Sequence, residues 1–207
     1  MHMIDTADRA ACAAPNPPGR SALIIMDMIN TLDFEGGEAL LEQATPITRQ
    51  IARLRHRYRA NQCPVIYANS NFGDWHADFA QVIGRCRRSG SRGARLSDEL
   101  VPDARDYFVL KPSHSAFYQT PLVVLLETLQ VDAITLVGIA GDECVLHTAL
   151  DAQMRVYPLW VPVDGVASLT FERNERALAC MNEVAGADIS PIDARASAAQ
   201  PRTGDTP

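Results

Sequence analysis

The chain has 207 residues, of which 47% are hydrophobic, and its formal net charge at pH 7 is −6. A chain of this length can bury about 70% of its unfolded-state surface in one core, and its acidic balance disfavours nucleic acid as a partner. It contains no run of about 18 apolar residues that would predict a membrane-spanning helix and no signal-peptide pattern, so we predict a single-domain protein of the cytoplasm.

Five short runs rich in β-forming residues alternate with helical patterns along the chain. Each run is almost continuously apolar, which is typical of strands that are buried on both faces of a parallel sheet. The runs are "ALIIMD" (22–27), "PVIYAN" (64–69), "YFVLK" (107–111), "AITLVGI" (133–139) and "VYPLWVPV" (156–163). A candidate sixth strand is "ADISPI" (187–192).

The segments between these runs have the spacing of amphipathic helices. In the first of them, Ile47, Ile51, Leu54 and Tyr58 recur at intervals of four, three and four residues, which places them on one helical face. Similar patterns occupy 120–130, 143–155 and 172–185. This alternation predicts an α/β fold with three α/β/α layers, in which a Rossmann-like, mostly parallel sheet of five to six strands has helices on both faces.

The two ends of the chain differ in composition from the middle. Prolines punctuate residues 1–20, and the closing stretch "ARASAAQPRTGDTP" consists mainly of small and polar side chains. Such segments lack the large apolar residues that a packed core needs. We therefore predict one domain over residues 21–191, between a flexible N-terminal tail (1–20) and a flexible C-terminal tail (192–207).

Cysteine occurs five times, at Cys12, Cys63, Cys86, Cys144 and Cys180, with no CxxC pair. This odd count and this spacing predict neither a disulfide framework nor a zinc site made of thiolates. We therefore expect each cysteine to be a free thiol, so that a chemical role for any of them depends on its surroundings.

Three polar residues stand at or just beyond the carboxyl ends of predicted strands: Asp27, Lys111 and Cys144. In open parallel sheets, ligands bind at this edge, where loops lead into helices. Taken alone, each residue has an ordinary explanation, as a turn aspartate, a solvated lysine and a small buried hydrophobe. Their shared edge makes them candidates for a functional site.

The sequence around Cys144 favours a reactive thiol. Gly138 and Gly141 permit tight turns after the fourth strand, and Cys144 then lies at the predicted start of a helix. Unpaired backbone N–H groups and the helix dipole favour the thiolate there. Asp142 and Glu143 directly precede the thiol and would raise its pKa unless they point to solvent or cap the helix.

Four motifs occur in order over roughly residues 20 to 190: "IIMDMIN", "LKPSHSAF", "GIAGDECVLHTALDA" and "VPVDGVAS". In this order and at these distances they resemble the isochorismatase-like cysteine hydrolases. The resemblance implies a catalytic triad of Asp27, Lys111 and Cys144 on a three-layer fold. It also implies a cis peptide bond at the Ile139–Ala140 turn, although the chain has Gly141 where many relatives have Thr or Ser.

The triad side chains can perform nucleophilic hydrolysis. A free thiol has a pKa near ~8.5 and needs a base and a cation to act at neutral pH. Asp27 would take the thiol proton and return it to a leaving amine, while Lys111 would stabilise the thiolate. The backbone N–H groups of Ala140 and Cys144, beside Ile139, would form the oxyanion hole.

The thiol also indicates the bond that is cleaved, because amidase-like relatives need a cysteine and true isochorismatases do not. We therefore predict hydrolysis of an amide, carbamoyl or ureido C–N bond. Alternatives that the sequence leaves open are a vinyl ether hydrolase, a binding module without turnover, and a redox sensor acting through Cys144. His147 offers a rival base three residues after the thiol, on the same helical face, but the helix would carry it away from the substrate.

A metal site is suggested by Asp74 and His76, because the nicotinamidase-like branch of the resembled family has an Asp-x-His pair soon after the second strand. No further histidine follows until His114, so a site of one Asp and three His is not completed nearby. We interpret Asp74 as a loop cap and His76 as a surface helix residue, and expect neither a metal nor another cofactor.

Candidate substrate contacts are Phe72, Trp75 and Phe117, aromatic residues near predicted strand ends that could stack on a flat ligand. The basic stretch from Arg85 to Arg95 is interpreted as a solvated face, with capture of a substrate carboxylate or an intersubunit contact as alternatives. The expected partners are a small-molecule substrate and, by analogy with the resembled family, further copies of the chain in a dimer or tetramer.

Overall fold

The computed structural model describes residues 21–194. The strands are Ser21–Met26 (β1), Val65–Ser70 (β2), Tyr107–Lys111 (β3), Ala133–Gly138 (β4) and Leu159–Trp160 (β5). The helices are Gly37–Ala60 (α1), Phe79–Cys86 (α2), Ala94–Glu99 (α3), Leu122–Thr128 (α4), Leu146–Met154 (α5) and Phe171–Glu183 (α6), with a π-helical turn at Gly141–Val145 directly before α5. No helix in the described range is long and apolar enough to cross a lipid bilayer.

The five strands form one parallel sheet in the order β3-β2-β1-β4-β5. Alternate residues of the central strand β1 face opposite ways: Leu23 and Ile25 pack with α1, α2 and α3, whereas Ala22 and Ile24 pack with α4, α5 and α6. The predicted three-layer α/β/α fold is therefore confirmed. Because the chain turns from β3 back to β4 on the other side of β1, the carboxyl ends of β1 and β4 border a crevice.

Helix α1 covers one face of the sheet with the residues that its sequence pattern predicts. Ile47, Ile51, Leu54 and Tyr58 are all buried on the side that faces the sheet. The Tyr58 hydroxyl lies 2.6 Å from the Thr135 hydroxyl of β4, so the last turn of the helix is fixed to the sheet by a buried hydrogen bond.

The edge of the sheet beyond β4 is shorter than predicted. β5 has only two residues because Pro158 and Pro162, on either side of it, have no N–H to donate to a ladder. The predicted sixth strand at 187–192 is wrong: Asp188 forms an isolated bridge to Trp160, and the Ser190 N–H bonds the Asp188 side chain. Pro191 ends any further pairing.

Helices α2 and α3 were not predicted, although the first has a recognisable start signal. The Asp78 side chain accepts from the Gln81 N–H, and the Gln81 side chain accepts from the Asp78 N–H, which makes a capping box. Both helices are short, with eight and six residues, so the apolar periodicity that marks a longer helix is weak.

The predicted tails lie largely outside the described residues, which exclude 1–20 and 195–207. Ile192 was assigned to the C-terminal tail, but it is buried in the core beside α1. Its N–H also donates to the Asp164 carboxylate at 3.0 Å. The packed chain therefore extends past residue 191.

Gly138, the last residue of β4, has a φ of 117°, and a Cβ there would overlap the carbonyl oxygen of Met26 on β1. Gly138→Ala is therefore expected to lower the free energy of unfolding by about 3 kcal/mol, measured by urea denaturation. Gly84→Ala is the matched control, because Gly84 lies in α2 with open space around it, and alanine there should add up to about 1 kcal/mol. Equal unfolding midpoints for the two variants would contradict this account of Gly138.

Candidate active site

Asp27 is the first residue after β1, and two contacts with β2 fix its orientation. Its N–H donates to the Ala68 carbonyl at 3.0 Å, and its Oδ1 accepts from the Ser70 N–H at 2.7 Å. Its φ of 50° is in the left-handed region, which turns the chain away at the end of the strand. The carboxylate is buried at the carboxyl edge of the sheet.

Lys111 ends β3, and its side chain reaches across the end of β2 toward the centre of the sheet. The ammonium Nζ lies 2.7 Å from Asp27 Oδ2 and 3.3 Å from Cys144 Sγ, and donates to the Ser113 carbonyl at 3.1 Å. With only 1% of its surface exposed, Lys111 has exchanged water for these three partners. The three predicted triad residues therefore meet at one point.

Cys144 lies in the π-helical turn that links β4 to α5. The Ile139–Ala140 peptide bond before this turn is cis, as expected, and the Ala140 carbonyl accepts from the Val145 N–H at 3.1 Å. Of the predicted oxyanion donors, the N–H group of Cys144 belongs to this turn and that of Ala140 directly precedes it, and both residues line the cleft above the triad.

Gly141 departs from the resembled family for a reason visible in the packing. A Cβ at this position would overlap the side chains of Val166, Ser168 and Asn174, which lie against the turn. Its N–H donates to the Ala167 carbonyl at 2.8 Å, so the turn is held close to this segment. A Thr or Ser at this position would need the segment before α6 to move away.

The thiol of Cys144 is neutral in the resting site, so its position at the start of a helix does not by itself make it a thiolate. Burial raises its pKa most, the Asp27 carboxylate raises it further, and Lys111 only partly opposes them, so that the pKa is about 12. Burial alone would lower the pKa of Lys111, but Asp27 and Cys144 together raise it, so the ammonium stays charged. The site therefore rests with a neutral thiol beside a charged ammonium.

Asp142 and Glu143, the two acids before the thiol, are turned toward Arg173 of α6. Arg173 Nε bonds the Asp142 carboxylate, and Nη2 lies 3.5 Å from Glu143 Oε1. Neither acid is among the causes of the raised thiol pKa. The two acids were expected to raise the pKa of the Cys144 thiol unless they point to solvent or cap the helix. They do not raise it, because Arg173 pairs with both and the Glu143 side chain is exposed to solvent.

A cleft of about 600 Å³ opens above the triad, and only one of the three predicted aromatic contacts lines it. Phe72 is part of its wall, together with Phe34 from the loop after β1. The other two are not among the lining residues: Trp75 is 79% exposed, and Phe117 is buried in the core layer that includes residues of α4, α5 and α6. The guanidinium carbon of Arg155 lies 4.8 Å from the centroid of the Phe117 ring, so this aromatic side chain has a cation–π partner within the protein.

The rival base considered from the sequence, His147, is not the histidine next to the thiol. His147 Nδ1 lies 2.7 Å from the Glu143 carbonyl, and its ring stacks on His114 with centroids 5.1 Å apart. The histidine next to the thiol is His114, whose Nδ1 is 3.7 Å from Cys144 Sγ. Sequence reasoning missed this neighbour, although its position three residues after Lys111 is the signal that could have found it.

Other residues of the site also come from loops that the sequence patterns left unassigned. The cleft includes Asn30 and Glu35 after β1 and Leu169 before α6. Asn69 of β2 fixes the first of these loops by accepting from the Ile29 N–H at 3.4 Å and donating to the Ile29 carbonyl at 2.6 Å. A buried asparagine inside an apolar strand was the available signal.

The Asp74 and His76 pair does not fit a metal site. Asp74 Oδ2 accepts from Arg85 Nη2 at 2.7 Å, and Asp74 Oδ1 accepts from the His76 N–H at 3.1 Å. His76 lies in the turn before α2 rather than in a helix. Among residues 21–194, no group of three His, Cys, Asp or Glu side chains is arranged to hold a metal ion.

The arginines of the basic stretch do not line the triad cleft. Arg85 pairs with Asp74, Arg87 pairs with Asp98 at 2.5 Å, and Arg92 Nη1 donates to the Leu32 carbonyl at 2.5 Å. Since none of these three lines the cleft, the alternative that the stretch captures a substrate carboxylate in this cleft is not supported.

The family model described as Isochorismatase domain matches residues 21–192, nearly all of the described chain. The chain belongs to the isochorismatase family. Within it, the chain is 43% identical over 169 residues to the uncharacterized isochorismatase family protein YaaI of Bacillus subtilis (strain 168), an alignment that covers 82% of this chain and 92% of YaaI.

Two other isochorismatase-like proteins of named activity are more distant. The ureidoacrylate amidohydrolase RutB of Yersinia enterocolitica is 29% identical over 160 residues, which cover 65% of this chain and 70% of RutB. The solved structure of N-carbamoylsarcosine amidase from Thermoplasma acidophilum matches with a TM-score of 0.64 at 27% identity, over 83% of this chain and 96% of that chain. The resemblance read from the four motifs is therefore confirmed.

The neutral thiol of this isochorismatase-family site has a measurable consequence. Because the Cys144 pKa is about 12, its thiolate fraction rises about tenfold per pH unit below that value, and alkylation by iodoacetamide should rise in step from about pH 7 to about pH 10. Mass spectrometry of the Cys144 peptide measures this rate, with Cys144→Ala as the background. A rate that levels off near neutral pH would show that the thiolate already exists at rest.

Proposed function

We propose that this protein hydrolyses the C–N bond of a small amide, carbamoyl or ureido compound through a thioester on Cys144. The observation that carries the proposal is the position of Lys111 Nζ, which is 2.7 Å from Asp27 and 3.3 Å from Cys144 at the base of a cleft. The names of the RutB relative and of the carbamoylsarcosine amidase both denote cleavage of this class of bond.

Acylation begins with the neutral thiol. As Sγ attacks the carbonyl carbon, the thiol proton passes to Asp27, so that a free thiolate need not accumulate. The negative charge on the carbonyl oxygen is stabilised by the N–H groups of Ala140 and Cys144. When the C–N bond breaks, Asp27 returns the proton to the nitrogen, and ammonia or an amine leaves a thioester on Sγ.

Deacylation uses the same groups in the opposite order. Water attacks the thioester carbonyl while Asp27 accepts one of its protons, and the C–S bond then breaks. Sγ regains the proton, which restores the resting thiol and carboxylate. The Lys111 ammonium contacts both groups, so it stabilises the charge that develops on Sγ and the carboxylate that Asp27 regains each time it gives up the proton.

The alternatives named from the sequence have less support. Vinyl ether hydrolysis does not need a nucleophilic thiol, so it would not explain the contact between Cys144 and Lys111. A redox sensor needs a thiol that is readily ionised, since oxidation follows thiolate character, whereas burial and Asp27 raise the Cys144 pKa to about 12.

A panel of primary amides, carbamoyl compounds and ureido compounds, with isochorismate alongside, tests the proposal by ammonia or amine release. Rapid quenching followed by mass spectrometry should find an acyl adduct on the Cys144 peptide for any compound that turns over. Turnover that persists in Cys144→Ala would contradict the thioester route. So would turnover without such an adduct under conditions in which deacylation is slower than acylation, because an acyl-enzyme would then build up. Release of pyruvate from isochorismate alone would favour vinyl ether chemistry.

A further inference from the structure

The charged side chains that line the cleft are unequal in number. Asp27, Glu35 and Glu143 are acidic, whereas Lys111 is the one lysine or arginine of residues 21–194 in the lining. Lys111 lies 2.7 Å from Asp27 and is almost fully buried, so each cancels the field of the other. Besides the imidazole of His114, which also lines the cleft, the carboxylates of Glu35 and Glu143 are then left to decide the charge that an entering molecule meets.

Neighbouring guanidinium groups do not reverse this balance. Arg173 lies beside Glu143, but it also bonds Asp142, so the three side chains together carry one negative charge. Arg92, the member of the basic stretch nearest to the loop after β1, donates to the Leu32 carbonyl. A substrate carboxylate therefore finds no free arginine among the described residues of the lining.

The rest of the cleft wall suits an uncharged molecular body. Phe34 and Phe72 offer exposed aromatic surface on one side, and Leu40 and Leu169 add aliphatic surface. Burial of apolar area against these residues supplies binding free energy without a charged partner.

We infer that the cleft selects an amide with an apolar or aromatic body that is uncharged or positively charged, and that it discriminates against one that carries a carboxylate. The inference rests on the proposed C–N hydrolysis and narrows its substrate class. Glu35 and Glu143 are the specificity-determining residues: they repel an anion at the entrance, and they attract an ammonium group. On the scale of Coulomb interactions between partly exposed charges, the expected discrimination is about tenfold.

Methanethiosulfonate reagents test the charge preference without any knowledge of the substrate. The 2-sulfonatoethyl, methyl and 2-aminoethyl reagents are anionic, neutral and cationic, and all modify a cysteine thiol. Rates at Cys144 are measured by peptide mass spectrometry at one pH and divided by the rates with free cysteine. We expect the anionic reagent to be at least about tenfold slower than the neutral one, and the cationic reagent to be at least as fast, with the difference shrinking at high salt.

The double variant Glu35→Gln/Glu143→Gln should reduce the anionic disadvantage to about threefold or less, because the amides keep the shape of the side chains without the charge. Glu38→Gln is the matched control: Glu38 is also an exposed acid, in the first turn of α1, but it does not line the cleft. A normalised anionic rate equal to or above the neutral rate in the wild type would overturn the inference, as would an unchanged ratio in the double variant.

Turnover supplies the second readout. Benzamide, 4-(aminomethyl)benzamide and 4-carboxybenzamide share the benzamide ring and differ in charge. The ratios of their kcat/KM values therefore measure the charge preference of the cleft with substrates instead of thiol reagents. The highest value for the carboxylate would overturn the inference even if hydrolysis by Cys144 stands. Failure of the proposed function is separate, because it would appear as persistent activity in Cys144→Ala and would leave the reagent series unaffected.

Discussion

Replacing Cys144 by alanine is expected to lower kcat for amide hydrolysis by at least about 10⁴-fold. The thiol lies at the base of the cleft within 3.3 Å of Lys111, and Asp27 and Lys111 are expected to transfer protons and stabilise charge for its attack rather than to replace it as the nucleophile. Ammonia release under saturating substrate measures the loss, and thermal unfolding shows whether the variant keeps its fold.

Cys180→Ala is the matched control for this experiment. Cys180 is also a partly exposed free cysteine, but it lies on α6 outside the cleft lining. It should retain activity within a factor of about two. If Cys144→Ala kept more than a tenth of wild-type turnover, hydrolysis would not depend on a thioester at this position.

Asp27→Asn is expected to separate chemistry from thiol reactivity. Loss of the general base should lower kcat/KM by about 10²- to 10⁴-fold. Alkylation of Cys144 near neutral pH should instead become faster than in the wild type, because the Asp27 carboxylate raises the thiol pKa and Lys111 lowers it. With the carboxylate removed and the ammonium kept, the pKa falls and the thiolate fraction at a given pH rises.

Asparagine suits this position structurally, since its side-chain oxygen can still accept from the Ser70 N–H, and asparagine tolerates the left-handed backbone at residue 27. Asp33→Asn is the matched control, because Asp33 lies in the same loop but outside the cleft lining. Iodoacetamide rates and kcat/KM are measured on the same preparations. A parallel fall in both quantities would show that Asp27 activates the thiol at rest, and would contradict its role as a proton acceptor during attack.

The three triad residues could be singled out as candidates because their positions follow from topology, and the family resemblance then implied that they act together. Asp27, Lys111 and Cys144 follow the ends of three apolar runs, and parallel strands bring those ends to one edge. The three-layer fold followed from the same runs and from the face of α1. These are features of repeating backbone geometry, which local sequence patterns record directly.

The walls of the cleft could not be predicted in the same way. Phe72 lines the cleft while Trp75, three residues later, points elsewhere, because a turn in a loop decides between them and no periodicity describes that turn. The sequence also left the protonation state of Cys144 open. A helix start favours a thiolate, but burial and Asp27 outweigh that effect here, and the degree of burial is set by segments remote in sequence.

The reach of Lys111 over the end of β2 has a consequence for how activity depends on assembly. Its side chain links a residue of β3 to one after β1 and one after β4, so the site exists only when four strands have taken their places side by side. A fragment that stopped after β3 would contain Asp27 and Lys111 without their nucleophile, and the complementary fragment would contain Cys144 without its two partners. Reconstituted hydrolysis from two such halves would therefore report the completed sheet.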